Sequence, residues 1–328
     1  MKITRFVRMA LAAVALPMSA LAAAVEPEAE LAALQAHAEA EVRALHFAAL
    51  DAEADGLRTS RARLADGRWK LSRLFGGIEA AMAHVVVDEA DRQVLESAAE
   101  SYARTHPASA NAGLFLARVY LAEGRMARGQ GDWEDVPADG RRRFLEALAQ
   151  AREVLDGRRR ALSANPVWYA DRIEIASLSG EPGARVDELL REALAREPRF
   201  HVAAYAALAA RSPRRGGSQA AMMALVNDVG RAGEGARAEG LYARLVIVAQ
   251  EDVPRIAQDP ALDWPAMTRA FDAILRSYPA PRNVRRFLLM ACDRPDRAAA
   301  RALLGQVAPP PAGGPELERC VAWARGGS

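Results

Sequence analysis

Aromatic residues make up only 6% of the 328 residues, and β-branched runs are nearly absent apart from Val85-Val86-Val87 and Val246-Ile247-Val248. The abundant Ala, Leu, Arg and Glu favour helix by intrinsic propensity instead. No Gly-x-Ser-x-Gly elbow occurs, which removes support for a hydrolase of that design. The five histidines, His37, His46, His84, His106 and His201, are scattered, without a two-His helical motif or a Cys/His zinc spacing, so no metal is expected. No cofactor is implied by any motif. Carboxylates are too numerous to nominate a glycosidase pair from sequence. Beyond the N-terminus no apolar run is long enough to cross a bilayer, so no transmembrane segment is expected.

What is present begins at Met1. Lys2, Arg5 and Arg8 form a positive region without acids, Met9 to Met18 an apolar one, and Ala20-Leu21-Ala22 a small-x-small cleavage site. The spacing predicts a signal peptide over residues 1–24, cut after Ala22 or Ala24, and a periplasmic or secreted mature chain. Its removal takes the formal charge from +2 to −1. No whole-molecule field then favours nucleic acid, and export argues against such a partner. The two cysteines, Cys292 and Cys320, read in that compartment as one disulfide, worth roughly 3–4 kcal/mol in the chain-entropy model. Two buried thiols are the alternative.

Helical spacing recurs through nearly all the remaining chain. A first amphipathic helix is expected over about Glu28 to Ala54, a second apolar segment from Trp69 to Met82, and a long helix over Ala138 to Ser163. Four junctions repeat a helix end, a proline and a new helix: Thr105-His106-Pro107, Ala164-Asn165-Pro166, Arg196-Glu197-Pro198 and Ser277-Tyr278-Pro279. Nine and ten residues beyond each proline stand Leu116-Ala117, Ile175-Ala176, Ala207-Leu208 and Leu288-Leu289. Pro166 and Pro198 are 32 residues apart, near the 34 of tetratricopeptide repeats, while the other intervals differ. The expected fold is all-α, an irregular stack of antiparallel helical hairpins forming a tetratricopeptide-like α-solenoid, with a globular helical bundle as the alternative. Residues 25–308 form the helical-hairpin domain. Residues 309–328 supply a Pro/Gly linker and a final helix packed on it.

Several landmarks resemble a bacterial family, the domain of unknown function numbered 4034. They are Asp66-Gly67-Arg68-Trp69-Lys70-Leu71, His106-Pro107-Ala108-Ser109, Ala127-Arg128-Gly129, Asn165-Pro166-Val167-Trp168-Tyr169 and Pro213-Arg214-Arg215-Gly216-Gly217-Ser218. The resemblance runs from about Leu50 to Asn227 and implies a helical protein, without naming a reaction. Arg215 stands where the family pattern carries tryptophan.

Three places are candidate sites. Arg214 and Arg215, followed by Gly216 and Gly217 at a helix start, offer guanidinium groups and backbone amides to an anion. The same residues also read as a solvated turn with Ser218 as N-cap. Trp69 and Trp133, each beside charged residues at a turn, could grip a peptide or sugar ring, or close a hydrophobic layer with the indole N–H bonded. Trp168, Tyr169 and Trp264 start helices and belong to the core. The runs Arg141 to Arg143, Arg158 to Arg160 and Arg285-Arg286 read as solvated faces paired with nearby acids. The function expected is binding of a protein or peptide partner without catalysis. A cell-envelope hydrolase assembled only in the fold is the alternative, and a purely structural module a third reading.

Overall fold

The computed structural model describes residues 27–85, 88–230, 240–305 and 314–326. The expected signal peptide and residues 306–313 of the linker region lie outside the described residues. Among the described residues the fold is all-α, and the single bridge between extended residues joins Arg63 to Trp69.

The chain opens with α1 (Pro27–Arg43), α2 (Phe47–Ser60) and α3 (Lys70–Val85). Pairs follow: α4 (Glu89–Thr105) with α5 (Ala112–Arg128), then α6 (Ala138–Gly157) and the one-turn α7 (Arg159–Leu162) leading into α8 (Val167–Leu178). Next come α9 (Gly183–Arg196) with α10 (Val202–Ala209), α11 (Gln219–Gly230) with α12 (Leu241–Ala249), and α13 (Trp264–Ser277) with α14 (Pro281–Asp293). Last are α15 (Arg297–Leu304) and α16 (Pro315–Arg325). The four proline junctions precede α5, α8, α10 and α14 as expected. Leu116, Ala117, Ile175, Ala176, Ala207, Leu208 and Leu288 are all buried. Cys292 and Cys320 form a disulfide with Cα atoms 5.8 Å apart, which ties α16 to α14.

Two expected helices are broken. The segment Glu28 to Ala54 bends after Arg43, where Leu45 takes a left-handed φ of 58°. The bend lets Ala38 and Val42 bury on one side of the corner while Phe47 and Leu50 bury beyond it, with Phe47 stacked on Tyr102. The helix expected to reach Ser163 stops at Gly157. Arg158 turns its guanidinium onto the Ala103 carbonyl, and Leu162 is buried over Gly113.

A chain of buried polar groups pins two successive junctions to α2. Asp51 accepts from Tyr102 Oη and Ser109 Oγ at 2.7 Å and from Asn111 Nδ2 at 2.6 Å. Asn165 Nδ2 donates to Asn111 Oδ1 at 2.7 Å, and Asn165 Oδ1 caps the Val167 amide at 2.9 Å. Both asparagines are fully buried, and each polar group finds a partner, as burial demands.

The stack also curls onto itself. Residues 62–70 form a short ribbon closed by Lys70 N to Ala62 O (3.0 Å) and Leu64 N to Arg68 O (2.8 Å), with Gly67 at its tip at φ 85°. The ribbon lies against α12 and α14: a Cβ on Gly67 would come within 2.6 Å of Arg244 and 2.7 Å of the Tyr278 ring. Asn283 on α14 donates to the Asp66 carbonyl at 3.1 Å, and Glu28 at the start of α1 is shared by Arg68 and Arg282. The first and sixth helical groups therefore touch.

Candidate functional site

The Arg214-Arg215 segment is a 3-10 turn, Pro213–Arg215, after α10. Its amides are spent inside the turn: Gly216 N on Pro213 O (3.1 Å), Gly217 N on Ser212 O (2.9 Å) and Ser218 N on Arg211 O (3.0 Å). Ser218 Oγ caps the Ala221 amide at 3.1 Å. The two guanidinium groups also part company. Arg214, 75% exposed, reaches Asp252 (2.8 Å), whereas Arg215 approaches Glu174 on α8 (3.8 Å). Side chains and backbone amides thus do not converge on one point there. The backbone follows the capped-turn reading because Gly217 must lie against the Arg211 carbonyl, where a Cβ would overlap it.

Trp69 is buried, at 3% exposure, and not an exposed clamp. Its Nε1 donates to the Arg199 carbonyl at 2.7 Å, its ring meets Phe200 edge-on, and the Arg63 guanidinium lies 3.8 Å over its face. The partner is 130 residues away in sequence, which is why a locally bonded indole is not what forms. Trp133, 38% exposed, sits in the turn between α5 and α6 with its edge on Phe144. Trp168 and Tyr169 are core residues as expected.

One wall of Trp69 belongs to a pocket of about 490 Å³ between the end of α2, the α7–α8 junction and the end of α9. Tyr169, Pro166, Ala164 and Ala193 give it an apolar lining, and Arg58, Arg61 and Arg196 stand around it. Arg61 is 60% exposed and ion-paired to Glu197 at 2.7 Å; its own backbone is left-handed at φ 53°. Arg196 lies 6.0 Å over the Tyr169 ring and so fixes the aromatic floor. Aromatic walls with cations at the edge are the usual make-up of a recognition pocket.

Charged groups on the second helices of the pairs form a separate network. Arg118 on α5 holds Asp171 on α8 in a fork, at 3.0 and 2.5 Å, and also reaches Glu79 on α3. Arg125, one heptad later, joins Glu79 to Glu174. Burial alone would raise Glu174, but Arg125 and Arg118 outweigh it and hold that carboxyl below its usual range. Further along, Arg68, Arg73, Arg282, Arg286 and Arg244 gather around Asp66 and Tyr205. Arg286 is thus no member of a solvated paired face, as its run suggested, because the curl of the stack turns it inward toward the ribbon.

A further cleft of about 480 Å³ runs between α4, α5 and α6, lined by Asp88, Glu89, Arg92, Glu123, Arg143 and Glu146 among others. Burial, with the like charge of Glu96, pushes the Glu123 carboxyl up to about 7 against the pull of Arg92. His201 is held neutral well below its ordinary range, first by burial and then by Arg244 and Arg63. Among the described residues no group of three or more His, Cys, Asp and Glu is arranged to hold a metal ion. No helix there is long and apolar enough to cross a membrane.

No motif marks the pocket residues Arg58, Arg61 and Arg196 or the inward Arg118, Arg125 and Arg73, and Tyr169 reads from sequence only as a core residue. A usable signal exists for Arg118. It is the one charge in the run Gly113 to Ala122, and Asp171-Arg172 interrupt the apolar run Val167 to Ile173, a pattern that marks a buried pair rather than a solvated one. No family model matches the chain, and no curated protein or solved structure does so either.

Proposed function

We propose that this is an exported, periplasmic protein of tetratricopeptide-like helical hairpins that binds a protein or peptide partner without catalysing a reaction. The observation that carries this reading is the pocket walled by Trp69 and Tyr169 and ringed by Arg58, Arg61 and Arg196. An apolar side chain of the partner enters it, and an acidic neighbour meets the arginines at the edge, which sets partner charge and steers encounter. The disulfide supports an oxidising compartment, and the N-terminal charge and apolar pattern supports export. The ordered landmarks shared with the domain of unknown function 4034 support the same helical architecture. Arg214 and Trp133, both exposed, are proposed as outlying contacts, with Arg215, Gly216 and Gly217 holding Arg214 in place.

Affinity capture from a periplasmic extract tests the reading. Arg61→Ala with Arg58→Ala should lower recovery of the captured partner at least tenfold while the circular dichroism spectrum stays unchanged. Arg214→Ala with Arg215→Ala should lower it less. Equal recovery by all variants would remove the pocket from the account. The hydrolase reading draws on one observation, the desolvated Glu123 in the α4–α6 cleft, since a carboxyl titrating near neutrality suits general acid catalysis. Turnover of cell-wall polymer by the wild type, lost in Glu123→Gln, would favour it over binding.

A further inference from the structure

Successive residues on extended backbone face opposite ways, so Arg68 and Trp69 leave the 62–70 ribbon on different sides. Trp69 walls the pocket just described. On the Arg68 side lies a cluster of five guanidinium groups from four parts of the chain: Arg68 on the ribbon, Arg73 on α3, Arg244 on α12, and Arg282 and Arg286 on α14. Two carboxylates balance part of that charge. Asp66 holds Arg68 at 2.6 Å and Arg282 at 3.7 Å, and Glu28 bridges the same two arginines. Glu251 lies farther off, toward Arg286.

Arg73 and Arg286 are left over. Among the described residues neither has an ion-pair or hydrogen-bond partner for its side chain, and Arg73 Nε is sealed from solvent without an acceptor. Both are half-buried, so one part of each fork still reaches solvent. Burial, and after it the neighbouring Arg68 and Arg282 charges, lowers the proton affinity of each. The Tyr205 phenol, one turn after His201 on α10, feels the charges of Arg73 and Arg286; it accepts from Arg244, and burial keeps it protonated, so its O–H can donate. A buried guanidinium without an acceptor costs free energy that a bound anion would return.

We propose that Arg73, Arg286 and Tyr205 form an anion site that takes a doubly charged tetrahedral oxyanion of the phosphate class. Arg73 and Arg286 carry two positive charges that no carboxylate pairs, and these match a dianion. The donors arrive from three helices and outnumber what the two oxygens of a carboxylate can accept, whereas a tetrahedral group presents oxygens in each of those directions. Gly67 is required at the ribbon tip, since a Cβ there would displace Arg244, which donates to Tyr205, and the Tyr278 ring beside it. The site lies apart from the Trp69 pocket and does not rest on the partner-binding reading.

Thermal unfolding in phosphate or sulfate, compared with acetate at equal ionic strength, tests it. The midpoint should climb with phosphate or sulfate concentration and stay flat in acetate, by the linkage of binding to folding. Arg73→Gln and Arg286→Gln should each weaken the apparent affinity at least tenfold. Arg142→Gln, at an exposed arginine on α6, should leave it unchanged. Glycerol phosphate separates two sources of one chemistry: equal or tighter binding marks a phosphoryl group carried by a larger molecule, and exclusion marks the free ion. If the variants fail to fold, broadening of the phosphorus-31 line by the wild type decides the matter. No broadening, equal stabilisation by acetate, or equal weakening by Arg142→Gln would overturn the site.

Discussion

Asp171 is the charged residue most at risk among the described residues because it is the least exposed of them to water. At 1% exposure its carboxylate depends on the Arg118 fork for both oxygens. Replacing a buried ion pair by apolar groups is often neutral, but removing one member leaves a stranded charge. Arg118→Ala should therefore cost about 3–5 kcal/mol in chemical denaturation. Adding Asp171→Asn should restore part of that loss. If the single and double variants are equally unstable, the pair contributes packing and not charge balance. Trp69 teaches the same lesson in reverse. An indole flanked by Asp66, Arg68 and Lys70 reads either as an exposed grip or as the close of a hydrophobic layer; the ribbon turns it inward to an acceptor contributed by Arg199, and nothing local in the sequence names that acceptor.

At the scale of elements, the proline junctions were legible because proline acts locally, on its own φ and on its predecessor. Their second function was not. Asn111 and Asn165 stand at two of these turns and hydrogen-bond each other across the stack, with Asp51 on α2 as the third member. Asn165→Ala should cost about 1–3 kcal/mol, because it strands the Asn111 carbonyl and uncaps the Val167 amide in one step. A thermal midpoint within a degree of wild type would show that water replaces the lost group. The breaks at Leu45 and Arg158 escaped periodicity for a related reason. Both lie inside continuous amphipathic patterns, and what ends the helix is a distant partner, the Tyr102 and Phe115 rings in one case and the Ala103 carbonyl in the other. The Arg73 and Arg286 cluster was equally hidden, since 213 residues separate the two and only the curl of the stack joins them.

For the molecule as a whole, pH acts through groups that pull in opposite directions. Glu28, held low by Arg282 and Arg68 against a burial that would raise it, clasps the first helix to α14. Its contribution is present above the ordinary carboxyl range and is lost as pH falls. His201, buried neutral, adds a penalty below its unfolded value near 6.5 because acid unfolding lets it charge. Glu123 opposes both. Its folded pKa of about 7 exceeds the unfolded value of 4.5, so the folded state binds the extra proton between those limits, and stability drains away as pH rises through that window. Glu123→Gln removes the drain. Its stability relative to wild type should improve between pH 4.5 and 7 by roughly 2–3 kcal/mol and hold level above about 7.5. Urea unfolding of both proteins across that range gives the answer directly. Parallel curves would mean that Glu123 ionises as it does in the open chain, and the cleft between α4, α5 and α6 would lose its acid.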